Sequence, residues 1–248
     1  MKNRRMCKFI INLCALFFAV AASAQTANDS IATPVQTERY GIRVGADLHR
    51  LSKGFYTDDY RGLELVADYR ITKKIYIAGE IGNEDYTIDD RQLNFTTNGS
   101  YLKIGFDYNA YENWLDMENM IYAGMRYSFA SFSQTLNSYT IYDNRVIDAN
   151  GIRYLDPVTV ESGTEYSGLT AHWVEVVGGI KAEVFDNLFL GFSLRLNYMI
   201  TDTKPDNFDN LYIPGFNKTY IGKFGAGFNY SISYFIPFYK KTKKTEDN

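Results

Sequence analysis

The strongest constraint on the fold comes from residues 220–234, where apolar side chains alternate with small or polar ones. One parity carries Tyr220, Gly222, Phe224, Ala226, Phe228, Tyr230, Ile232 and Tyr234, and the other carries Ile221, Lys223, Gly225, Gly227, Asn229, Ser231 and Ser233. Because successive side chains of a strand point to opposite faces, this pattern predicts a strand with one apolar and one polar face. Its length exceeds that of a usual soluble strand and suits a tilted crossing of a bilayer.

Seven earlier segments repeat the alternation, at about 40–49, 63–70, 75–81, 101–108, 121–129, 173–184 and 188–200. The connections between them are long, short, long, medium, long, short and long, which is typical of outer-membrane barrels. We therefore predict an all-β fold, an eight-stranded antiparallel up-and-down transmembrane β-barrel over 38–239, with loops at 51–61, 83–99, 131–168 and 201–218. In an alternative with ten strands, the 131–168 loop adds a hairpin.

The tyrosines of the apolar faces favour this barrel over a soluble β-sandwich. They fall at predicted strand ends, with Tyr40, Tyr69, Tyr108 and Tyr234 at the inner rim and Tyr127, Tyr198 and Tyr220 at the outer rim. Tyrosine is amphipathic and lies well at the boundary between lipid and water, which explains two aromatic girdles. A sandwich gives no reason for such sorting.

The N-terminal residues 1–24 have the pattern of a cleaved signal peptide. Basic residues at 2, 4, 5 and 8 precede an apolar run over 9–22, and Ala22-Ser23-Ala24 fits the small-residue rule, so we expect cleavage between Ala24 and Gln25. A flexible periplasmic lead-in over 25–37 and a basic periplasmic tail over 240–248 flank the barrel. Both cysteines, Cys7 and Cys14, lie in the leader, which excludes disulfides from the mature chain. A lipoprotein would need Cys14 as its acylated residue.

Charge and composition limit the partners. Without the leader the chain keeps 22 basic and 29 acidic residues, and this negative balance argues against nucleic acid. We expect the outer membrane of a Gram-negative cell, with both termini in the periplasm. The expected partners are outer-membrane lipids and the barrel-assembly machinery, with an extracellular or periplasmic partner also open. No cofactor is expected.

The inward faces carry all the charges of the predicted strands. The set is Arg43, Asp47, Glu64, Asp68, Arg70, Glu80, Lys103, Asp107, Arg126, Glu175, Lys181, Glu183, Arg195 and Lys223. An eight-stranded barrel leaves little room inside, and charges in such a space must pair. We therefore predict a lumen charge network that leaves no continuous pore.

Two histidines are the candidate bases of an enzyme. His49 shares the predicted inward face with Asp47 near the outer rim, close to Asp58 and Asp59 in the next loop, so a pair at the rim could activate water. The alternative is that His49 only forms hydrogen bonds in the mouth. His172 falls on the lipid-facing parity beside Trp173, as an interfacial residue would. The outer-loop carboxylates at 58, 59, 85, 89, 90, 206 and 209 lack the spacing of a calcium loop.

The stretch Lys223-Phe224-Gly225-Ala226-Gly227-Phe228-Asn229-Tyr230 resembles the final-strand assembly signal of bacterial outer-membrane proteins, with Lys223, Gly225, Phe228 and Tyr230 at its defining positions. The strand count resembles the small barrels of the outer-membrane protein A and X type. Residues 111–114 and 205–216 resemble an outer-membrane family of Bacteroides-type bacteria with no known activity. The resemblance implies a compartment rather than a reaction.

The sequence thus favours a non-enzymatic outer-membrane barrel with a structural or surface-binding role through its extracellular loops. The first alternative is a hydrolase of envelope lipid or peptide that uses His49 at the rim. The second is a narrow solute channel.

Overall fold

The computed structural model describes residues 37–111, 118–143, 156–205, 209–218 and 222–242. The strands are β1 (Thr37–Asp47), β2 (Tyr60–Arg70), β3 (Ile75–Asp90), β4 (Leu93–Asn109), β5 (Met120–Asp143), β6 (Asp156–Phe185), β7 (Leu188–Asp202), β8 (Tyr212–Ile213), β9 (Asn217–Lys218) and β10 (Phe224–Thr242). The helix α1 (Leu48–Lys53) follows β1. The expected leader, its cleavage site and residues 243–248 of the tail lie outside the described residues.

Eight of these strands close into an antiparallel barrel. Its order is β1-β10-β7-β6-β5-β4-β3-β2, so each strand pairs with its neighbours in the chain and β10 closes the sheet onto β1. The closing pair runs from Thr37↔Thr242 to Asp47↔Ser231, with a register shift after Tyr40. The predicted eight-stranded up-and-down barrel is confirmed. β8 and β9 form a separate two-stranded sheet inside the connection between β7 and β10.

Two predicted loops are strands instead. Residues 83–99 form a hairpin in which β3 and β4 pair as far as Asp90↔Leu93. In the predicted 131–168 loop, β5 and β6 pair as far as Asp143↔Asp156, so the ten-strand alternative is wrong because these segments continue barrel strands. The prediction ends each strand where the alternating apolar residues end, whereas the strand pairing continues beyond them through polar residues.

The burial pattern places the apolar parity outside and the charged parity inside. On β4, Leu102 and Ile104 are 44% and 55% exposed, whereas Lys103 between them is 1% exposed. Tyr108, Tyr127, Tyr198 and Tyr234 are likewise exposed on the outer surface, Tyr69 is half-buried, and Tyr220 lies outside the described residues. The predicted lipid-facing position is wrong for Tyr40, which is buried. Its ring stacks on Tyr239 at 5.2 Å and lies 4.8 Å from the guanidinium carbon of Arg70.

The two ends of the barrel differ in their connections. We call the end with residues 48–59, 91–92, 203–205, 209–218 and 222–223 the distal end. The end with residues 71–74, 110–111, 118–119 and 186–187 is the proximal end. α1 lies at the distal end, where the Asp47 carboxylate accepts hydrogen bonds from the backbone N–H groups of His49 and Arg50 and so caps the helix. Within the described ranges, none of the helices has the length and apolar character needed to cross a membrane.

Candidate functional site

The middle of the lumen is filled by a layer of ion pairs. Lys103 Nζ lies 3.1 Å from Glu175 and 3.7 Å from both Glu64 and Glu80. Arg195 Nη1 lies 2.6 Å from Glu80 and 3.0 Å from Glu175. These five side chains are at most 7% exposed. Burial of so many charges is tolerable only because each carboxylate has a cation within reach.

A second set of ion pairs lies toward the proximal end. Asp68 pairs with Arg43 at 2.7 Å and with Lys181 at 2.5 Å. Arg39 and Arg70 pair, each at 2.7 Å, with Glu183 and Glu118, respectively. Arg126 and Asp107, also of the predicted charge set, pair at 2.8 Å, and Arg126 lies 3.4 Å from Glu80 of the middle layer. An interior cavity of about 30 Å³ lies beside Asp68, Arg126 and Lys181, with space for about one or two waters.

One residue of the predicted lumen set lies elsewhere. Lys223 precedes β10, is exposed, and donates from Nζ to the Ile200 carbonyl at 3.2 Å. The prediction continues the alternation of β10 back to Lys223. This residue lies in the turn before the strand, where alternation no longer sets the direction of a side chain. Gly225, Phe228 and Tyr230, the other residues of the assembly pattern, lie on β10, with Phe228 47% exposed on the outer surface.

A buried carboxylate organises the distal mouth. Glu84 is fully buried and pairs with Arg50 of α1. It accepts hydrogen bonds from the hydroxyls of Tyr60 and Tyr212 at 2.7 Å and 3.0 Å, and from the Gly215 N–H at 3.0 Å. Glu84 thereby joins the helix, β2 and the connection between β7 and β10 across the mouth.

The same connection inserts an apolar plug into the lumen. We define the plug as residues 212–216. Phe216 is 1% exposed and meets Trp173 edge to face at 5.7 Å, while Ile213 joins the same buried cluster with Tyr101 and Met199. Gly225 makes this possible, since a Cβ there would lie 3.1 Å from the Phe216 ring. The distal part of the lumen therefore combines an apolar cluster with the buried pair of Arg50 and Glu84. Only the charge network was predicted from the sequence.

Sequence reasoning missed Arg50, Glu84 and the plug for different reasons. Glu84 has the parity of Glu80, and a longer strand would have included it. The plug was visible as an apolar run over 211–216 inside a polar connection. For Arg50 no local signal existed, because a turn of helix after β1 changes which residues point inward.

His49 is not on the inward face of a strand, so that prediction is wrong. The strand ends at Asp47, and the His49 ring packs 4.6 Å from Phe228 and 5.7 Å from Tyr230. Besides the two backbone N–H groups of α1, the Asp47 carboxylate accepts from the Asn229 side chain. The two side chains therefore do not form the pair that an Asp–His mechanism needs. Burial, with smaller contributions from Arg50 and Lys53, lowers the pKa of His49.

The other candidate positions that the structure describes carry no catalytic geometry. His172 Nδ1 lies 2.9 Å from the Tyr127 hydroxyl, and its ring is 4.8 Å from Phe129, on the outer surface. Among the loop carboxylates, Asp209 pairs with Lys204 at 2.6 Å in an exposed pair, and Asp206 lies outside the described residues. In the part of the chain that the structure describes, no group of three or more His, Cys, Asp or Glu side chains could hold a metal ion.

The chain belongs to the family described as domain of unknown function DUF6048, which matches residues 6–241. No curated protein matches it. Among solved structures it is similar to the crystal structure of Ail, the attachment invasion locus protein of Yersinia pestis, with 7% identity and a TM-score of 0.36, over 79% of this chain and 97% of that chain. The barrel described above follows from strand pairing within this chain and not from that likeness. The resemblance to a family of Bacteroides-type bacteria stays a prediction.

Proposed function

We propose that the protein is a closed, non-enzymatic barrel of the outer membrane that binds an extended segment of a partner protein along the free edge of β6. The observation that carries this proposal is the difference in length between β6 and β7. β7 pairs with β6 only from Ala171↔Asp202 onward, whereas β6 begins at Asp156 and pairs with β5 over the added length. The far side of residues 157–165 has no partner strand among the described residues.

A membrane location is supported by the outer surface. Large apolar side chains are 44% or more exposed there on seven barrel strands: Leu63, Leu65, Ile77, Ile81, Leu102, Ile104, Phe106, Ile121, Met125, Val176, Ile180, Leu194, Leu196 and Phe228. Soluble proteins rarely leave apolar patches of this extent in water. A bilayer would cover this surface, and the closed sheet leaves no backbone edge in lipid.

The distal ends of β3 to β6 form a sheet that continues beyond the rest of the barrel. β2 reaches only the pair Tyr60↔Tyr86, while β3 and β4 continue to their turn at 91–92 and β5 and β6 continue further. A strand edge presents a row of N–H and C=O groups, and an extended peptide can add to it as a further strand. This sheet is therefore suited to strand addition.

The free edge is also shaped against unspecific pairing. Gly163 and Gly168 have φ of +64° and +72°, close to the register shifts between β5 and β6. Such bulges twist an edge and limit its pairing to short stretches. Glu161 lies just before the two glycines, Glu165 lies between them, and both carboxylates are exposed. The edge therefore favours a partner segment with basic side chains.

The experiment uses proline to remove single N–H groups from the edge. In an antiparallel pair, neighbouring residues direct their N–H groups to opposite sides, so of Thr159 and Val160 one faces β5 and the other the free edge. A random decapeptide library is selected on the full chain in maltoside detergent, and enriched peptides are tested on Thr159→Pro and Val160→Pro. One variant should lose binding and keep its fold. Equal binding by both variants, or no enrichment, would contradict the proposal.

The membrane assignment has its own measurement. A closed barrel resists detergent until it is heated, so boiled and unboiled samples should migrate differently in a detergent gel. The protein should also fractionate with the outer membrane. Identical migration together with recovery from the soluble periplasm would reject this assignment.

A further inference from the structure

Three tyrosine rings surround the ammonium group of Lys53 at the distal mouth. Lys53 Nζ lies 4.0 Å, 4.5 Å and 5.8 Å from the ring centroids of Tyr60, Tyr86 and Tyr212. Tyr86 meets Tyr60 and Tyr212 edge to face at 5.3 Å and 5.2 Å. Rings arranged around a cation in this way form an aromatic cage, which recognises alkylammonium groups through their electron-rich faces.

The cage is held in place by groups other than Lys53. The hydroxyls of Tyr60 and Tyr212 both donate to Glu84, whose position is fixed by Arg50 and by the Gly215 N–H. Both tyrosines are 3% exposed. The Tyr60 and Tyr212 rings should therefore keep their arrangement when the lysine leaves, and Tyr86 packs edge to face against both.

Lys53 is a poor occupant of this cage. No carboxylate of the described residues forms an ion pair with it, and Arg50 on the same helix repels its charge. Burial first, and then Arg50, lowers the pKa of Lys53 to about 8. The lysine is the last residue of a six-residue helix, and the chain continues through Gly54 to Phe55, which is 91% exposed. The lysine can thus leave without disturbing a buried segment after it.

We propose that Tyr60, Tyr86 and Tyr212 form a binding site for a small quaternary ammonium ligand of the choline type, with Lys53 as its built-in competitor. A quaternary ammonium has no N–H groups whose hydrogen bonds to water are lost on entry, so it replaces the primary ammonium at a lower cost of dehydration. This site is separate from the edge of β6, and either proposal can fail without the other.

The test measures choline binding to the full chain in maltoside detergent by titration calorimetry. Lys53→Ala should bind choline at least tenfold more tightly than the wild type, because the competitor is removed. The uncharged isostere 3,3-dimethylbutan-1-ol has the same shape and should bind at least tenfold more weakly than choline to Lys53→Ala. Equal binding of the two ligands would overturn the proposal, since shape and not charge would then be recognised.

A second substitution separates the cage from other effects of removing Lys53. In the Lys53→Ala background, Tyr86→Leu should abolish choline binding and Tyr86→Phe should retain it, because the ring is needed and its hydroxyl is not. Heat-dependent gel mobility checks that each variant is folded, and Lys204→Ala serves as a control that leaves binding unchanged. No choline binding by folded Lys53→Ala, or unchanged binding after Tyr86→Leu, would overturn the proposal.

Discussion

Arg195 on β7 and Glu80 on β3 meet across the barrel, with 2.6 Å between Nη1 and Oε2. In the closed order of strands, β6, β5 and β4 separate them on one side and β10, β1 and β2 on the other, so the two residues stand on opposite walls. The ion pair therefore crosses the lumen and ties two walls that share no backbone hydrogen bonds. A direct pair across the lumen is possible only because eight strands enclose so narrow a space.

Removing this crossing should destabilise the barrel strongly. Arg195→Ala removes one of the two cations that Glu80 and Glu175 share, and it leaves Lys103 as their common partner. We expect a loss on the order of 3–5 kcal/mol, the usual cost of breaking a buried pair. Urea unfolding in detergent, followed by gel mobility, measures it. Lys204→Ala removes one partner of an exposed pair and should cause no measurable loss; equal effects of the two substitutions would show that the lumen pairs are solvated.

Conductance should stay low even without the plug. Replacing residues 209–218 by a Gly-Ser linker removes Phe216 and Ile213 from the distal lumen, but the ion-pair layer around Lys103 remains. In planar bilayers, both the wild type and this variant should show little or no steady current. A wide, steady channel in the variant alone would identify the plug as the gate, and one in the wild type would favour the solute-channel alternative.

The barrel could be predicted from the sequence because the alternation that defines each strand lies within a single segment of the chain. Alternation around Lys103 sets which residues point inward, and the parity holds along a strand whatever its partners. Which cation meets which carboxylate depends on the stagger between strands, and this stagger does not appear in any one segment. The pairing of Arg195 with Glu80 across the barrel therefore could not be predicted from the sequence.

The distal mouth was missed for a different reason. Its residues come from α1, the extension of β3 and the plug. Period-two alternation is interrupted in these segments, or they fall in the predicted loops. Glu84 could have been included by extending the parity of β3, but its contact with Gly215 joins positions 131 residues apart. Contacts of that kind follow from the tertiary fold and not from sequence pattern.

Gly215 should be required for seating the plug. It has φ of +81°, and a Cβ there would lie 2.6 Å from the Tyr101 ring. Gly215→Ala combines left-handed strain of about 1–2 kcal/mol with this clash, so the plug should detach. Limited trypsin digestion of the connection between β7 and β10 should then become faster. Gly222→Ala is the matched control, with φ of +95° and open space around its Cβ; equal acceleration in both would show that backbone strain alone accounts for the effect.

Assembly should depend on the aromatic residues of β10. Phe228 and Tyr230 stand at the positions that resemble the final-strand signal, and Tyr230 also contacts Ser52 of α1 through its hydroxyl. Phe228→Ser with Tyr230→Ser should leave the chain in the periplasm, where it is degraded. Phe228→Leu with Tyr230→Phe keeps the apolar character and should assemble. Quantified outer-membrane fractions report the difference, and wild-type levels of the double serine variant would show that recognition lies elsewhere.

Lys53 should make the docking of α1 depend on pH. Its pKa is lowered to about 8 in the docked helix, chiefly by burial, from the ordinary value of 10.5. Between pH 8 and pH 10.5 the undocked helix binds more protons than the docked helix. Docking is therefore weakest below pH 8, where Lys53 is charged in both forms, and it becomes stronger as the pH rises through this window. Acetylation rates of Lys53, measured by mass spectrometry against pH, should have a midpoint near 8. Lys204, whose pKa is raised by its hydrogen bond to Asp209, should react with a midpoint above 10.5, and a shared midpoint would mean that Lys53 is solvated rather than caged.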